Sequence, residues 1–318
     1  MSKPKPLSYD SLKAVIEHMN PNLRVLLSVK LPAIRHTEKI TPLRLDELQI
    51  SETDISLWTE EEFRQIVALP LNNQDPRAST ELKNLEIKRD NYTQNLSIAI
   101  KYLIQKFLCG RQQGGPIKVK NLHLECRCTY LRLPMGLDLD VQHLFVRYNR
   151  HGLSIIRPLL ASHWSSLKSI TVERLDNRDR EILSSIDTVE VSGLLPRNAE
   201  LPYRRMKFLQ SSHENRNYLS IAKNLKITQP SVGSHYTFTL RNETPEELIK
   251  MMKADEDFEN GQLQASKVFH HTECFILPIN NRSEVLIYFS CYDPTDYHYS
   301  SFRFTLEMEI QPRVENLQ

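Results

Sequence analysis

Apolar and polar residues alternate along much of this chain, in short runs set at irregular intervals. The phrase Lys-Asn-Leu, followed two places after the Leu by another apolar residue, occurs in LKNLEIK (82–88), VKNLHLE (119–125) and AKNLKIT (222–228). Relaxed to an apolar-x-apolar core, the pattern yields Leu48/Ile50, Leu85/Ile87, Leu122/Leu124 and Leu144/Val146. It continues with Ile170/Val172, Val189/Val191, Met206/Phe208 and Leu225/Ile227. Side chains two apart on a strand point the same way, so each pair predicts a strand with one buried face. The first members of successive pairs stand 37, 37, 22, 26, 19, 17 and 19 residues apart. The later intervals approach the roughly 20–29 residues of leucine-rich repeats. The Asn that normally closes that consensus strand is absent, so the expected array is irregular. The other reading of the pattern is an ordinary α/β sheet whose strands share a bland composition.

The intervening segments read as helices. Thr59 and Glu62 form a capping box ahead of Phe63, Ile66 and Val67, which predicts a helix there. Leu96, Ile100, Leu103 and Phe107 share one helical face, with Gly110 placed to end it. Ser154 precedes an apolar run that Pro158 shortens, and 178–185 and 213–223 are each long enough for a short helix. Strands alternating with helices predict a mostly parallel sheet with helices on its outer side.

The two ends differ from this body. At the front, Ser8 caps a first helix carrying Leu12, Val15, Ile16 and Met19, with Leu7 and Leu12 as its hydrophobic staple. Asn20-Pro21 restarts a second helix through Leu23, Leu26, Leu27 and Leu31, which Pro32 ends. Two short helices cannot cover these residues by themselves, so some must dock on the neighbouring domain or on a partner. At the back, Thr244-Pro245-Glu246-Glu247 opens a helix. Runs at 268–279, 284–291 and 301–310 then predict an antiparallel meander turning at 280–283.

Composition adds mainly exclusions. The net charge of +2 sets up no field for nucleic acid. No apolar run is long enough to cross a membrane, and MSKPKPLSYD lacks the apolar core of a secretory leader. Five cysteines without a framework favour a reducing compartment, so an intracellular, cytoplasmic or nuclear, protein is expected. Eight glycines leave little material for phosphate-cradling loops. No phosphate loop, nucleophile elbow or HExxH occurs, and neither catalysis nor a cofactor or metal is expected. Cys126/Cys128, Asp138/Asp140, His123/His143 and His270-His271 beside Cys274 read as structural or solvated residues. Arg204, Arg205 and Lys207, next to Tyr203, form a basic spot that can touch an acidic peptide, although a solvated strand face is the simpler explanation.

The front segment LSYDSLKAVIEHMNPNLRVLLSVKLPAI resembles an F-box, with Leu7, Leu12, Ile16, Met19, Leu23 and Leu27 on its apolar positions and Pro21 at the corner. Ser8 stands where Pro is usual, and the Trp of the third helix is missing. Together with PLRLDELQI, FLCGRQQGGPIKVKNLHLE, LRLPMGLDLDVQHLFV, GSHYTFTL and ECFILPINNRSEVLIYFS, the chain resembles the F-box-associated family expanded in nematodes, of the F-box C type. The tract 51–95 departs from that family's pattern.

The resemblance implies a substrate-recognition adaptor of a cullin-type ubiquitin ligase. A Skp-type subunit would bind through residues 7–31, at Leu7, Leu12, Ile16, Met19, Pro21, Leu23 and Leu27, and a protein substrate would bind the repeat-like domain. The expected organisation is α/β: an F-box-like helical segment (1–40), an irregular leucine-rich-repeat-like solenoid (41–240), and a helix with an antiparallel meander capping it (241–318). The alternative is a scaffold protein outside any ligase, its front helices serving only to cap the solenoid.

Overall fold

The computed structural model describes residues 8–51, 54–59, 62–67, 96–125, 133–147, 153, 156, 164–175, 179–193, 201, 203–211, 216–240, 245–261, 273–291 and 304–313. The chain divides into two compact units, Met1–Lys168 and Ser169–Gln318. The described residues form α/β structure with seven α-helices, parallel strands in both units and an antiparallel meander at the C-terminal end.

The first unit begins with helices α1 (Tyr9–His18), α2 (Pro21–Lys30) and α3 (Arg35–Ile40), with a short 3-10 turn Pro32–Ile34 between the last two. Strands β1 (Arg44–Ser51), β2 (Asp54–Thr59) and β3 (Glu62–Val67) follow, then α4 (Leu96–Phe107), β4 (Ile117–Glu125) and β5 (Leu139–Arg147). The strand order is β3-β2-β1-β4-β5. β1, β4 and β5 run parallel, while β2 and β3 add an antiparallel ribbon at the edge.

The pairs Leu48/Ile50, Leu122/Leu124 and Leu144/Val146 lie side by side in register, each at most 3% exposed. Each is preceded, three residues earlier, by a further buried apolar residue, Leu45, Val119 and Val141. The repeating unit is therefore apolar-x-x-apolar-x-apolar, with one more buried apolar residue than the alternation alone suggested. Burying each such side chain contributes about 1.5–3 kcal/mol.

The second unit contains β6 (Ser169–Val172), α5 (Arg180–Leu183), β7 (Thr188–Val191), β8 (Arg205–Ser211) and α6 (Arg216–Thr228). β9 (His235–Leu240), α7 (Pro245–Lys253), β10 (Glu259–Asn260), β11 (Phe275–Pro278), β12 (Ser283–Cys291) and β13 (Phe304–Pro312) complete it. The order is β6-β7-β8-β9-β13-β12-β11-β10. β6 to β9 are parallel, and from β9 outward every neighbour is antiparallel. β9 is thus the seam between two sheet geometries. Phe238 on β9 stacks on Phe208 of β8 at 4.8 Å and meets the edge of Tyr218 of α6 at 5.6 Å.

Two sequence expectations are corrected. Residues 62–67, read as a helix, form strand β3, with Trp58 paired opposite Phe63 and Ile55 opposite Ile66. A β-branched and aromatic run of this length gains more from pairing with β2 than a one-turn helix gains alone. The last expected rung, Leu225/Ile227, is helical, because α6 runs to Thr228. Leu225 is buried with Tyr218, Ile221 and Ala222, which is helical spacing, while Ile227 is 79% exposed.

Other expectations hold. α4 buries Ile100, Leu103 and Phe107, and Gly110 beyond it has φ +76°. The meander turns at 280–283, where the Asn280 side chain accepts from Arg282 N, Ser283 N and Ser283 Oγ. Leu7, the pair Leu85/Ile87, Cys126/Cys128 and His270/His271 lie outside the described residues, as does most of the 154–160 run.

Candidate functional site

The front helices form where their caps direct. Ser8 Oγ accepts from Ser11 N at 3.3 Å, Asn20 Oδ1 accepts from Asn22 N at 2.9 Å, and Pro21 opens α2. α3 packs against both α1 and α2, and α2 lies against β2, where Asn22 Nδ2 donates to Leu57 O at 3.4 Å. α2 is two-faced. Asn22, Arg24, Val25 and Ser28 point inward and are buried, whereas Leu23 is 40% exposed. Of the residues singled out in the sequence, Ile16 is buried, Leu12, Met19, Pro21 and Leu27 are half-buried, and Leu23 is exposed. Val15, Tyr9 and Leu31 are exposed as well.

Beneath α2 lies a buried ionic cluster. The side chains of Arg24, Glu38 and Arg111 are each no more than 4% exposed. Arg24 donates to Pro42 O at 2.7 Å and Thr41 O at 3.0 Å, and its guanidinium lies 3.4 Å from the Glu38 carboxylate. Arg111 binds the same carboxylate and donates to Glu38 O at 3.1 Å. Lys39 Nζ donates to Phe107 O at 2.9 Å and Cys109 O at 2.6 Å.

Three cations thus face one carboxylate. The deficit is met by main-chain oxygens at the carboxyl ends of α3 and α4, where helix dipoles present partial negative charge. Burial pulls the Arg24 guanidinium below its usual value, with Glu38 opposing and Arg111 adding to the shift. Burial, reinforced by Arg111, brings the Lys39 amine down to about 8. Nothing in the sequence signalled this cluster, since Arg24 reads as one polar residue in a leucine-rich helix and Arg111 lies far along the chain.

A second polar cluster occupies the side of the second unit's strands that faces away from Met206, Phe208, Tyr236 and Phe238. The alternation of 304–310 predicted one buried face, and Leu306, Met308 and Ile310 provide it at 2% exposure or less. The opposite face carries Glu307, also buried. Its carboxylate lies 2.8 Å from His235 Nε2 and accepts from Thr237 Oγ1 at 2.6 Å, Thr305 Oγ1 at 2.6 Å and Ser290 Oγ at 3.1 Å. Tyr288 donates to Glu309 at 2.5 Å, and burial together with that carboxylate pushes its phenol up.

Burial alone would raise the Glu307 carboxyl, but the bonds from His235, Thr237 and Thr305 outweigh it and hold the group below its ordinary value. A carboxyl depressed by folding stabilises the fold above its unfolded value, and that contribution disappears as pH falls through the folded value. Glu307→Gln is therefore expected to flatten the acid limb of stability below about pH 5. Urea melts of both proteins across that range check it. Parallel curves would contradict the assignment.

The remaining residues noted in the sequence do not converge. Asp138 is exposed and Asp140 half-buried, alternating with buried Leu137 and Leu139. His123 stacks on Phe145 at 4.3 Å, while His143 pairs in register with Asn121, one row away. Cys109 and Cys274 are free, and burial raises both thiols. Among the described residues no group of three or more His, Cys, Asp or Glu is placed to hold a metal ion, and no helix is long and apolar enough to cross a membrane.

Residues 95–242, a little under half of the chain, are similar to a family described only as a domain of unknown function, DUF3557. No curated protein matches the sequence. The matched span includes β4 and β5 of the first unit and β6 to β9, the strands that carry the parallel pairings of the second unit.

Proposed function

We propose that this protein is a non-catalytic substrate-recognition adaptor of a cullin-type ubiquitin ligase. Its front helices would hold a Skp-type subunit, and the solvent side of its parallel strands would hold a protein substrate. The observation that carries this reading is the two-faced α2. Its inner face is fixed by Val25 and Arg24, while Leu23 and neighbouring Leu31 remain open to solvent. Solvent-open leucines on an anchored helix offer a partner apolar surface to bury. The resemblance of residues 7–34 to an F-box supplies the identity of the partner.

The apolar-x-x-apolar-x-apolar strands favour a leucine-rich-repeat-like array, whose strand face serves as a receptor in such proteins. The runner-up is a scaffold whose helices only cap the array, and the covered Ile16 favours it. Mixing the purified chain with a Skp-type subunit on a sizing column separates the two. The adaptor gives a co-eluting complex, and separate peaks favour the scaffold.

Deleting 1–40 is a poor test. It also removes Arg24 and Glu38, leaving Arg111 without its carboxylate, so lost binding and lost folding become indistinguishable.

A further inference from the structure

We infer that the helical layer of the first unit, α2 to α4, docks a protein surface that is itself acidic, an apolar contact zone rimmed by carboxylates. This deepens the adaptor reading and rests on it for the identity of the partner, since the acidic surface would belong to the Skp-type subunit. The layer is continuous. α2 and α4 both pack on β2, and α3 packs against α2. Lys39 of α3 donates to Phe107 O and Cys109 O at the end of α4.

The charge of this layer has one sign. From His18 to Ile40 and from Leu96 to Arg111 the only acidic residue is Glu38. That carboxylate is buried between Arg24 and Arg111, so α2, α3 and α4 present no open carboxylate. Lys30, Arg35 and Lys101 are exposed on them. Arg35 Nε donates to a main-chain oxygen, Ser28 O, at 3.2 Å, and among the described residues no carboxylate pairs with any of the three. Including α1 keeps the excess. Outside the buried cluster, α1 to α4 carry Lys13, Lys30, Arg35, Lys101 and Lys106 against Asp10 and Glu17. Both carboxylates lie roughly 150° around α1 from exposed Val15.

The same helices expose apolar surface. Leu23 and Leu31 at the two ends of α2, and Ile98 and Tyr102 one turn apart on α4, are each 39–50% exposed. Covering them removes apolar area from water, which favours association with any apolar partner. The cations decide between partners. Lysine stems lie along apolar surface and hold their charged heads at its edge. A docking surface with its own cations there would be repelled, whereas one edged by carboxylates gains complementarity and faster encounter.

The test titrates the full chain, by fluorescence anisotropy at low and physiological salt, with two synthetic amphipathic helical peptides, one of Leu and Glu and one of Leu and Lys. The Leu-Glu peptide should bind and weaken as salt rises, and the Leu-Lys peptide should not bind. Lys30→Glu with Lys101→Glu should lower the affinity about tenfold. Lys30→Gln with Lys101→Gln gives a smaller loss in the same direction and guards against misfolding, since exposed substitutions leave stability nearly unchanged. No binding of the Leu-Glu peptide, equal binding of both peptides, or unchanged affinity in the double Glu variant overturns the inference. So does binding to phosphatidylserine-containing vesicles without peptide binding, which would make the layer a membrane contact. Co-elution with a Skp-type subunit is measured alongside. Peptide discrimination without co-elution sinks only the adaptor, and co-elution without peptide discrimination sinks only this inference.

Discussion

Glu38→Ala should destabilise the first unit by about 3–5 kcal/mol, because it leaves two buried guanidinium groups without their carboxylate. A penalty of that size is a large share of the roughly 5–15 kcal/mol that holds a typical domain folded. The comparison of variants identifies the cause. Arg111→Met added to Glu38→Ala should recover part of the loss by removing one of the uncompensated charges, a coupling expected only of residues in one network. Both tryptophans, Trp58 and Trp164, lie in the first unit. Urea unfolding followed by tryptophan fluorescence therefore reports on that unit directly. A loss under about 1 kcal/mol, as for an exposed ion pair, would show that the cluster is open to water.

Phe238→Ala should cost the second unit a comparable amount, about 3–5 kcal/mol. Its ring is fully buried at the seam between parallel and antiparallel strands, against Phe208 on one side and Tyr218 on the other. Removing it opens a cavity lined by two rings that β8 and α6 hold in place, so collapse recovers little. Phe238→Leu retains most of the volume and should cost about 1 kcal/mol. Thermal unfolding followed by circular dichroism distinguishes the two. Equal effects of Ala and Leu would mean that the site repacks freely.

Strand alternation was legible where one face is buried and the register is shared, as at β4, β5 and β13. The caps at Ser8 and Asn20 and the turn at 280–283 were legible because each needs only its nearest neighbours. The words Lys-Asn-Leu were not decisive. Leu122 sits in strand β4 and Leu225 in helix α6, although the preceding two residues are identical. Partners distant in sequence decide between the two periods, and a three-residue phrase contains none of them.

The same limit hid β3, whose apolar spacing fits one helical turn as well as a strand paired with β2. It also hid both polar clusters. Alternation assigned Glu307 to the face opposite Leu306 and Met308, but it did not carry the information that His235, Thr237 and Ser290 converge on the carboxylate. Arg24 and Arg111 meet at Glu38 only through the packing of α3 and α4.

The front helices were read as a pair of amphipathic segments with one apolar face to hide. The structure divides that face, turning Ile16 inward and leaving Leu23 outward, and on α2 it buries Val25, which lies off the expected leucine stripe. The docking reading therefore rests on α2 rather than on the whole segment.

The most direct measurement is co-purification of the Leu23→Asp, Leu27→Asp double variant with a Skp-type subunit, alongside its thermal melt. The account predicts that the unaltered chain retains the subunit, and that the variant melts cooperatively but loses it. Retention by the variant, or no retention by the unaltered chain, would contradict the account.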